Sequence, residues 1–217
     1  MRDADKATVI RLLILFVALY LVILKVNPII PIVLFAISVA LDGVDGYLAL
    51  SQQSKGKIRL MEYLHYALGD HTNAKKISEM KQSVGKSFPF GPRIDIAGDR
   101  ITEYALWVLF LFIHIVPLFV ILIIIVRHSI TDAFMGAKGT SSKMRTWIGR
   151  AVYSSNIARS GINVVKFVTF SYLMLVYVSN YPLWIGYVLI AVLVLYIVLR
   201  GVAEVAEVLA EKKESKK

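Results

Sequence analysis

The sequence contains no cysteine, and this absence excludes several kinds of chemistry. Disulfide bonds, thiolate nucleophiles and metal sites built on cysteine cannot form. Histidine is scarce, with 4 residues in 217, and no group of histidines has the close spacing of a metal site. Acidic residues are outnumbered, with 15 Asp and Glu against 25 Lys and Arg, which gives a formal net charge of +10.

A basic chain can bind nucleic acid, but the distribution of charge argues against that class. The Lys and Arg residues cluster in the gaps between long apolar runs, which is typical of the cytoplasmic loops of membrane proteins. The composition is 57% hydrophobic with a mean hydropathy of +0.66, too apolar for an ordinary soluble domain. These features predict an integral membrane protein that binds membrane lipids and no nucleic acid.

Six apolar runs are each close to the ~20 residues that a membrane-spanning helix needs. They cover about 8–25, 28–50, 94–114, 116–135, 156–179 and 182–208, and the third and fourth are separated by a tight turn around Pro117. The sequence therefore predicts an all-α fold, a bundle of six transmembrane helices. We expect a single membrane domain over residues 1–217.

The basic residues also predict the orientation of this bundle. They are concentrated in 51–93, in 136–155 and in the tail KKESKK, whereas the other gaps are nearly uncharged. The positive-inside rule then places both termini and both long loops in the cytoplasm, at the cell membrane. Within residues 51–90, IRLMEYLHYAL and TNAKKISEMKQSV have helical spacing, which predicts a cytoplasmic helical hairpin inserted between the second and third spans.

Two pairs of aspartates stand at the cytoplasmic ends of predicted spans. Asp42 and Asp45 are three residues apart at the end of the second span, and Asp95 and Asp99 are four apart at the start of the third. Each pair therefore shares one helix face, and both lie at one membrane depth. Four carboxylates at one level favour a bound divalent cation, Mg²⁺ or Mn²⁺ because the ligands are all oxygens. The alternative is that these side chains are solvated or paired with nearby arginines.

The spacing of these residues resembles a known family. Asp42-x2-Asp45-Gly46-x2-Ala49, followed by Gly91-x3-Asp95-x3-Asp99, is similar to the motif of the CDP-alcohol phosphotransferases, D-x2-D-G-x2-A-R and G-x3-D-x3-D. Seven of its eight fixed positions match, and the resemblance extends to the number of spans, so it covers nearly the whole chain.

The resemblance implies an enzyme of phospholipid synthesis. It would transfer a substituted phosphate group from a CDP-linked lipid to a small acceptor alcohol and release CMP. A two-metal site held by Asp42, Asp45, Asp95 and Asp99 would neutralise the pyrophosphate, with Asp99 as the general base. The resemblance also implies a homodimer.

The same resemblance implies a nucleotide pocket. Gly46, Ala49 and Gly91 would flank the cytidine nucleotide. Thr8 and Arg11 are similar to an early T-x2-R segment of the family and would border the same pocket.

Basic residues in and between the later spans form a candidate acceptor site. Arg127, Lys143, Arg159 and Arg200 are expected at the cytoplasmic level, where a set of cations suits a phosphate group. This favours a phosphorylated acceptor, such as inositol phosphate or glycerol phosphate, with serine left open. Taken singly, each of these residues is better explained by a side chain that extends to the membrane surface.

Two departures from the motif leave the activity open. Leu50 stands where the family has arginine, and the spacer between the two halves is forty residues, 51–90, where the family has a short one. An inactive homologue is one alternative. A metal-dependent membrane prenyltransferase and a cation transporter are the others.

Overall fold

A computed structural model describes residues 3–53, 59–67, 76–77, 79–80, 91–135, 146–153 and 156–214. Side chains are described within these ranges except at 3, 44–46, 49, 52–53, 64, 66–67, 91–93, 135, 151, 153, 156–160 and 211–214. The helices are α1 (Asp3–Ile23), α2 (Ile29–Gln53), α3 (Leu60–Ala67), α4 (Gly91–Phe112), α5 (Leu118–Met135), α6 (Trp147–Tyr153), α7 (Asn156–Ser179) and α8 (Leu183–Glu214). No strand occurs in these ranges, so the expected all-α fold is confirmed.

A helix lies at each of the six predicted spans, but the helices differ in how apolar they are. Three segments are long and apolar enough to cross a membrane: Ala4–Ile23, Gly161–Ser179 and Leu183–Ala210. In α2 the apolar stretch is shorter, Ile29–Gly43. Charged residues occupy the first half of α4 and the second half of α5. The three long apolar helices identify a membrane protein.

Helix α1 shows why its surface suits lipid. Leu15, Ala18, Leu19 and Val22 recur at helical spacing and are buried in one stripe. The opposite face exposes large apolar side chains throughout: Val9, Ile10, Leu13, Phe16, Val17 and Tyr20. A helix that is apolar on both its packed and its exposed face is stable in hydrocarbon and would be poorly soluble in water.

The chain divides into two compact units. The first comprises Met1–Leu106 with Tyr177–Ser179. In it α1 and α2 pack along each other, and the buried hydroxyl of Ser38 on α2 donates a hydrogen bond to the carbonyl oxygen of Arg11 at 3.0 Å. This contact fixes the backbone of α1 at the position of Arg11.

The second unit comprises Trp107–Val176 with Asn180–Lys217. Its core contains an aromatic group in which the ring of Phe170 lies 4.9 Å from that of Trp107, edge to face, and 5.9 Å from that of Phe110, stacked. Helices α5 and α6 both pack against α8. The aromatic contacts join α4 to α7 within this unit.

Helices α1 and α4 end in the same way. Lys25 (φ 50°) and His114 (φ 61°) each have a left-handed backbone just past the helix end. The amide of Lys25 donates to Val22 and that of Val26 donates to Leu21, the hydrogen bonds of a Schellman motif, and the equivalent pair follows α4. Glycine is the usual residue at such a position because a Cβ makes the left-handed conformation unfavourable.

His114→Gly is therefore expected to stabilise the protein. Relief of the left-handed backbone is worth about 1–2 kcal/mol, partly offset by a more flexible unfolded chain. A net gain near 1 kcal/mol would raise the midpoint of thermal unfolding in detergent by about 2–4 °C. Lys25→Gly is the matched comparison and should gain less, since the Lys25 ammonium lies 4.8 Å from the ring centre of Tyr177. A lower midpoint for His114→Gly would contradict the argument.

Candidate functional site

Three of the four motif aspartates meet in the first unit. Asp42 lies in the second half of α2, and Asp95 and Asp99 lie one turn apart near the start of α4. Each offers one carboxylate oxygen, and these oxygens all lie within 4.8 Å of one another. The side chain of Asp42 is 32% exposed and those of Asp95 and Asp99 are 56% and 55% exposed, so the cluster is open on one side.

Arg11 on α1 extends into this cluster. Its side chain is only 3% exposed, and its Nη1 forms an ion pair with Asp42. Its Nη2 donates a hydrogen bond to Asp99 at 3.1 Å and lies 3.7 Å from an oxygen of Asp95. A buried guanidinium thus contacts all three carboxylates, which lowers their mutual repulsion.

Gly98 permits this arrangement. It lies on α4 between the two aspartates, and a Cβ built on it would be 2.7 Å from Arg11 Nη2 and 2.7 Å from Thr8 Cγ2. A Cβ atom does not approach other atoms so closely. Glycine at this position therefore lets α1 lie against α4. Thr8 is buried, and its hydroxyl donates to the carbonyl oxygen of Ala4 at 3.2 Å.

The donor set fits a divalent cation. Three carboxylates and one guanidinium leave a formal charge of −2 at the cluster. Mg²⁺ and Mn²⁺ take oxygen ligands, and Mg²⁺ binds them at about 2.0–2.1 Å while keeping several waters. The open side of the cluster leaves room for water or a substrate phosphate.

Several other predicted site residues have backbone in the described helices but side chains outside the description. On α2 these are Asp45, Gly46 and Ala49, and on α4 it is Gly91. Asp45 follows Asp42 by about one helical turn on α2. Their parts in the metal site and the nucleotide pocket stay predictions.

Leu50, which replaces the arginine of the motif, is a buried core residue. Its side chain is 3% exposed and packs with Ile77 and Met80, which are 0% and 7% exposed. Tyr47 and Tyr63 pack against the same group, and their ring centres are 6.0 Å apart. Ile77, Met80 and Tyr63 all belong to the predicted insertion, 51–90. The described part of the insertion is therefore attached to the end of α2 by an apolar contact that we did not predict from the sequence.

In the second unit, Arg127 on α5 is held by α8. Its Nη2 donates to Glu204 at 3.1 Å and its Nε donates to the carbonyl oxygen of Ile197 at 3.1 Å. The side chains of Arg127 and Glu204 are 11% and 9% exposed. A Cβ on Gly201 would lie 2.7 Å from Arg127 Nε, so glycine makes room for the guanidinium. Glu204 is the partner that sequence reasoning missed, although its charge within an apolar run was a visible signal.

Arg127 also borders an apolar groove of about 680 Å³ between α5 and α8. The other residues proposed for the acceptor are placed differently. Arg200 lies on α8 and is half-buried, the side chain of Arg159 on α7 is outside the description, and Lys143 is outside the described residues. Binding of an acceptor by these four residues stays a prediction.

Comparison with known proteins gives no relative: no protein-family model, no curated protein and no solved structure matches the chain. The resemblance to the CDP-alcohol phosphotransferases therefore depends on the motif residues and their spacing.

Leu50→Ala is expected to loosen the insertion. Removal of a buried leucine side chain costs about 2–5 kcal/mol where the site cannot collapse. Backbone amides in 59–67 and 76–80 should then exchange with deuterium faster, as measured by mass spectrometry. Leu60→Ala is the matched control, since Leu60 lies on α3 but is 42% exposed. Equal exchange in the two variants would show that the Leu50 contact does not hold the segment.

The ion pair in the second unit predicts a specific pattern of stability. Arg127→Met leaves the buried Glu204 carboxylate without its guanidinium and should lower the free energy of unfolding by about 3–5 kcal/mol. The double variant Arg127→Met/Glu204→Met buries no charge and should recover much of that loss. Chemical unfolding in detergent micelles measures the free energy of unfolding of all four proteins of the double-mutant cycle. If the losses of unfolding free energy in the two single variants simply added up in the double variant, the result would contradict a direct ion pair.

Proposed function

We propose that this protein transfers a substituted phosphate group from a CDP-linked lipid to an acceptor alcohol and releases CMP. The observation that carries the proposal is the convergence of Asp42 with Asp95 and Asp99, whose oxygens lie within 4.8 Å. These are the residues that matched the motif of the CDP-alcohol phosphotransferases. Three carboxylates against one guanidinium leave a formal charge of −2 at the cluster, which favours a bound cation.

The proposed setting is the cell membrane, with six spans and both termini in the cytoplasm. Three helices are apolar enough to cross by themselves. The other three predicted spans have a shorter apolar stretch or more charge, and we propose that they cross with them. The basic segments 51–93 and 136–155 support a cytoplasmic position for the loops. We extend the proposal to a homodimer, as the motif resemblance implies.

In the proposed mechanism, the aspartates hold two divalent cations and Asp99 also accepts a proton. The four carboxylates of Asp42, Asp45, Asp95 and Asp99 would form this two-metal site. When bound, Mg²⁺ or Mn²⁺ would neutralise charge on the pyrophosphate. Asp99 accepts the proton of the acceptor hydroxyl while the oxygen of that hydroxyl forms a bond to the phosphorus attached to the lipid. The bond from that phosphorus to the bridging oxygen breaks, and the electron pair leaves with CMP.

The two substrates would be bound by different parts of the chain. Thr8 and Arg11 lie beside the aspartate cluster, which supports a nucleotide pocket there, completed by Gly46, Ala49 and Gly91. The acceptor would be bound by Lys143, Arg159 and Arg200. An acceptor phosphate would share Arg127 with Glu204, because that guanidinium already donates to this carboxylate. This basic set supports a phosphorylated acceptor, inositol phosphate or glycerol phosphate.

Asp95→Asn is the sharpest variant for the test. Its oxygen is 3.7 Å from Arg11 Nη2, against 3.1 Å for that of Asp99, so the substitution removes a cation ligand together with the longer of these two ion pairs. We expect CMP release to fall by about 100-fold or more, a loss similar to that of other groups that stabilise transition-state charge. The assay supplies CDP-diacylglycerol or CDP-archaeol in liposomes, Mg²⁺ or Mn²⁺, and a panel of acceptors: inositol phosphate, glycerol phosphate, serine and inositol.

Asp132→Asn is the control, because Asp132 lies on α5 in the second unit and has no part in the proposed site. It should release CMP at the rate of the unmodified protein. EDTA should stop the reaction and added Mg²⁺ or Mn²⁺ should restore it. Full activity of Asp95→Asn, or the absence of CMP release with every acceptor, would reject the proposal.

A further inference from the structure

The Arg11 guanidinium contacts the same three carboxylates that would hold the cation. We propose that Arg11 is an internal competitor for the cation: its guanidinium neutralises the cluster in the metal-free protein and withdraws when the divalent cation binds. The inference rests on the proposed metal site and adds to it a positioning residue that lowers the affinity for free metal.

The geometry of the contacts carries the argument. One terminal nitrogen of Arg11 is paired with Asp42, and the other lies 3.1 Å from Asp99 and 3.7 Å from Asp95. These are oxygens of the same three carboxylates that lie within 4.8 Å of one another. A cation bound to these carboxylates at about 2.0–2.1 Å would be in close contact with the guanidinium. Two cations at that separation in a partly buried site repel strongly.

The withdrawal that we propose is a movement of the Arg11 side chain while its backbone stays. The carbonyl oxygen of Arg11 is held by Ser38, and the residue is buried between helices. Rotation about the side-chain bonds would move the guanidinium by several ångströms without moving α1. The end of the side chain lies against α4 at Gly98, where a Cβ would be 2.7 Å from Nη2.

The exchange has a direct consequence for affinity. With Arg11 in place the cluster has a formal charge of −2, and without it the three carboxylates alone carry −3. Because a divalent cation must displace the guanidinium, Arg11 weakens cation binding by the amount of its own attraction to the carboxylates. Once displaced, the planar guanidinium is available to a phosphate, for which its fork of donors is well suited.

The test is the affinity of the purified full-length protein for Mn²⁺, measured in detergent by electron paramagnetic resonance without substrate. Arg11→Met should bind Mn²⁺ about tenfold more tightly than the unmodified protein, within the usual range of coupling between sites. Arg11→Lys keeps the charge and should stay closer to the unmodified protein. Asp95→Asn should bind Mn²⁺ more weakly in either background, which assigns the signal to this cluster.

A second variant moves the guanidinium without removing it. Gly98→Ala places a Cβ 2.7 Å from Arg11 Nη2, and combination with Thr8→Ser removes the Thr8 methyl that the same Cβ would meet. The double variant Thr8→Ser/Gly98→Ala should bind Mn²⁺ more tightly than Thr8→Ser alone. The comparison of these two variants tests the proposed competition if Arg11→Met does not fold.

The outcomes separate the two proposals. Unchanged or weaker Mn²⁺ binding in folded Arg11→Met, or in Thr8→Ser/Gly98→Ala relative to Thr8→Ser, overturns the competition and leaves the metal site intact. Failure of all the folded variants and of the unmodified protein to bind Mn²⁺ overturns the metal site itself. A purely structural role for Arg11 would lower the unfolding temperature with no change in Mn²⁺ affinity, and would also overturn the inference.

Discussion

Mutual repulsion among Asp42, Asp95 and Asp99 is the constraint on which the first unit depends. Helices α2 and α4 can bring these carboxylates within 4.8 Å only if positive charge enters with them, and Arg11 on α1 provides it. The position of α1 is in turn supported by the Ser38 hydrogen bond and by close approach at Gly98. Three helices are therefore held together by an ionic centre as well as by apolar packing.

The second unit uses a cation differently. Arg127 on α5 is paired with Glu204 on α8, and the two formal charges are equal and opposite. This pair joins the two helices, together with the hydrogen bond from Arg127 Nε to the carbonyl oxygen of Ile197. At Arg11 one guanidinium faces three carboxylates, and a formal charge of −2 remains. The ratio of acids to bases thus distinguishes the cluster that we propose binds a divalent cation from the ion pair that joins two helices.

The two departures from the family motif have one physical explanation. A forty-residue insertion, 51–90, must be attached to the membrane helices, and an apolar side chain near the end of α2 offers a point of attachment. Leu50 fills that place with Ile77 and Met80, where an arginine would be buried among apolar groups. Leu50 and the described part of the long spacer, the two departures from the motif that the sequence resembles, therefore meet in one apolar contact.

The sequence by itself determined the helical class, the approximate positions of the helices, and the placement of Asp95 and Asp99 one turn apart on a single helix. These features follow from local periodicity, which depends on neighbours within a few residues. Only the tertiary structure decided which long-range partners they meet. Arg11 and Asp99 are 88 residues apart in the chain, and Arg127 and Glu204 are 77 apart. Contacts over such distances depend on how helices pack and where a missing Cβ permits close approach, and no short-range pattern encodes that.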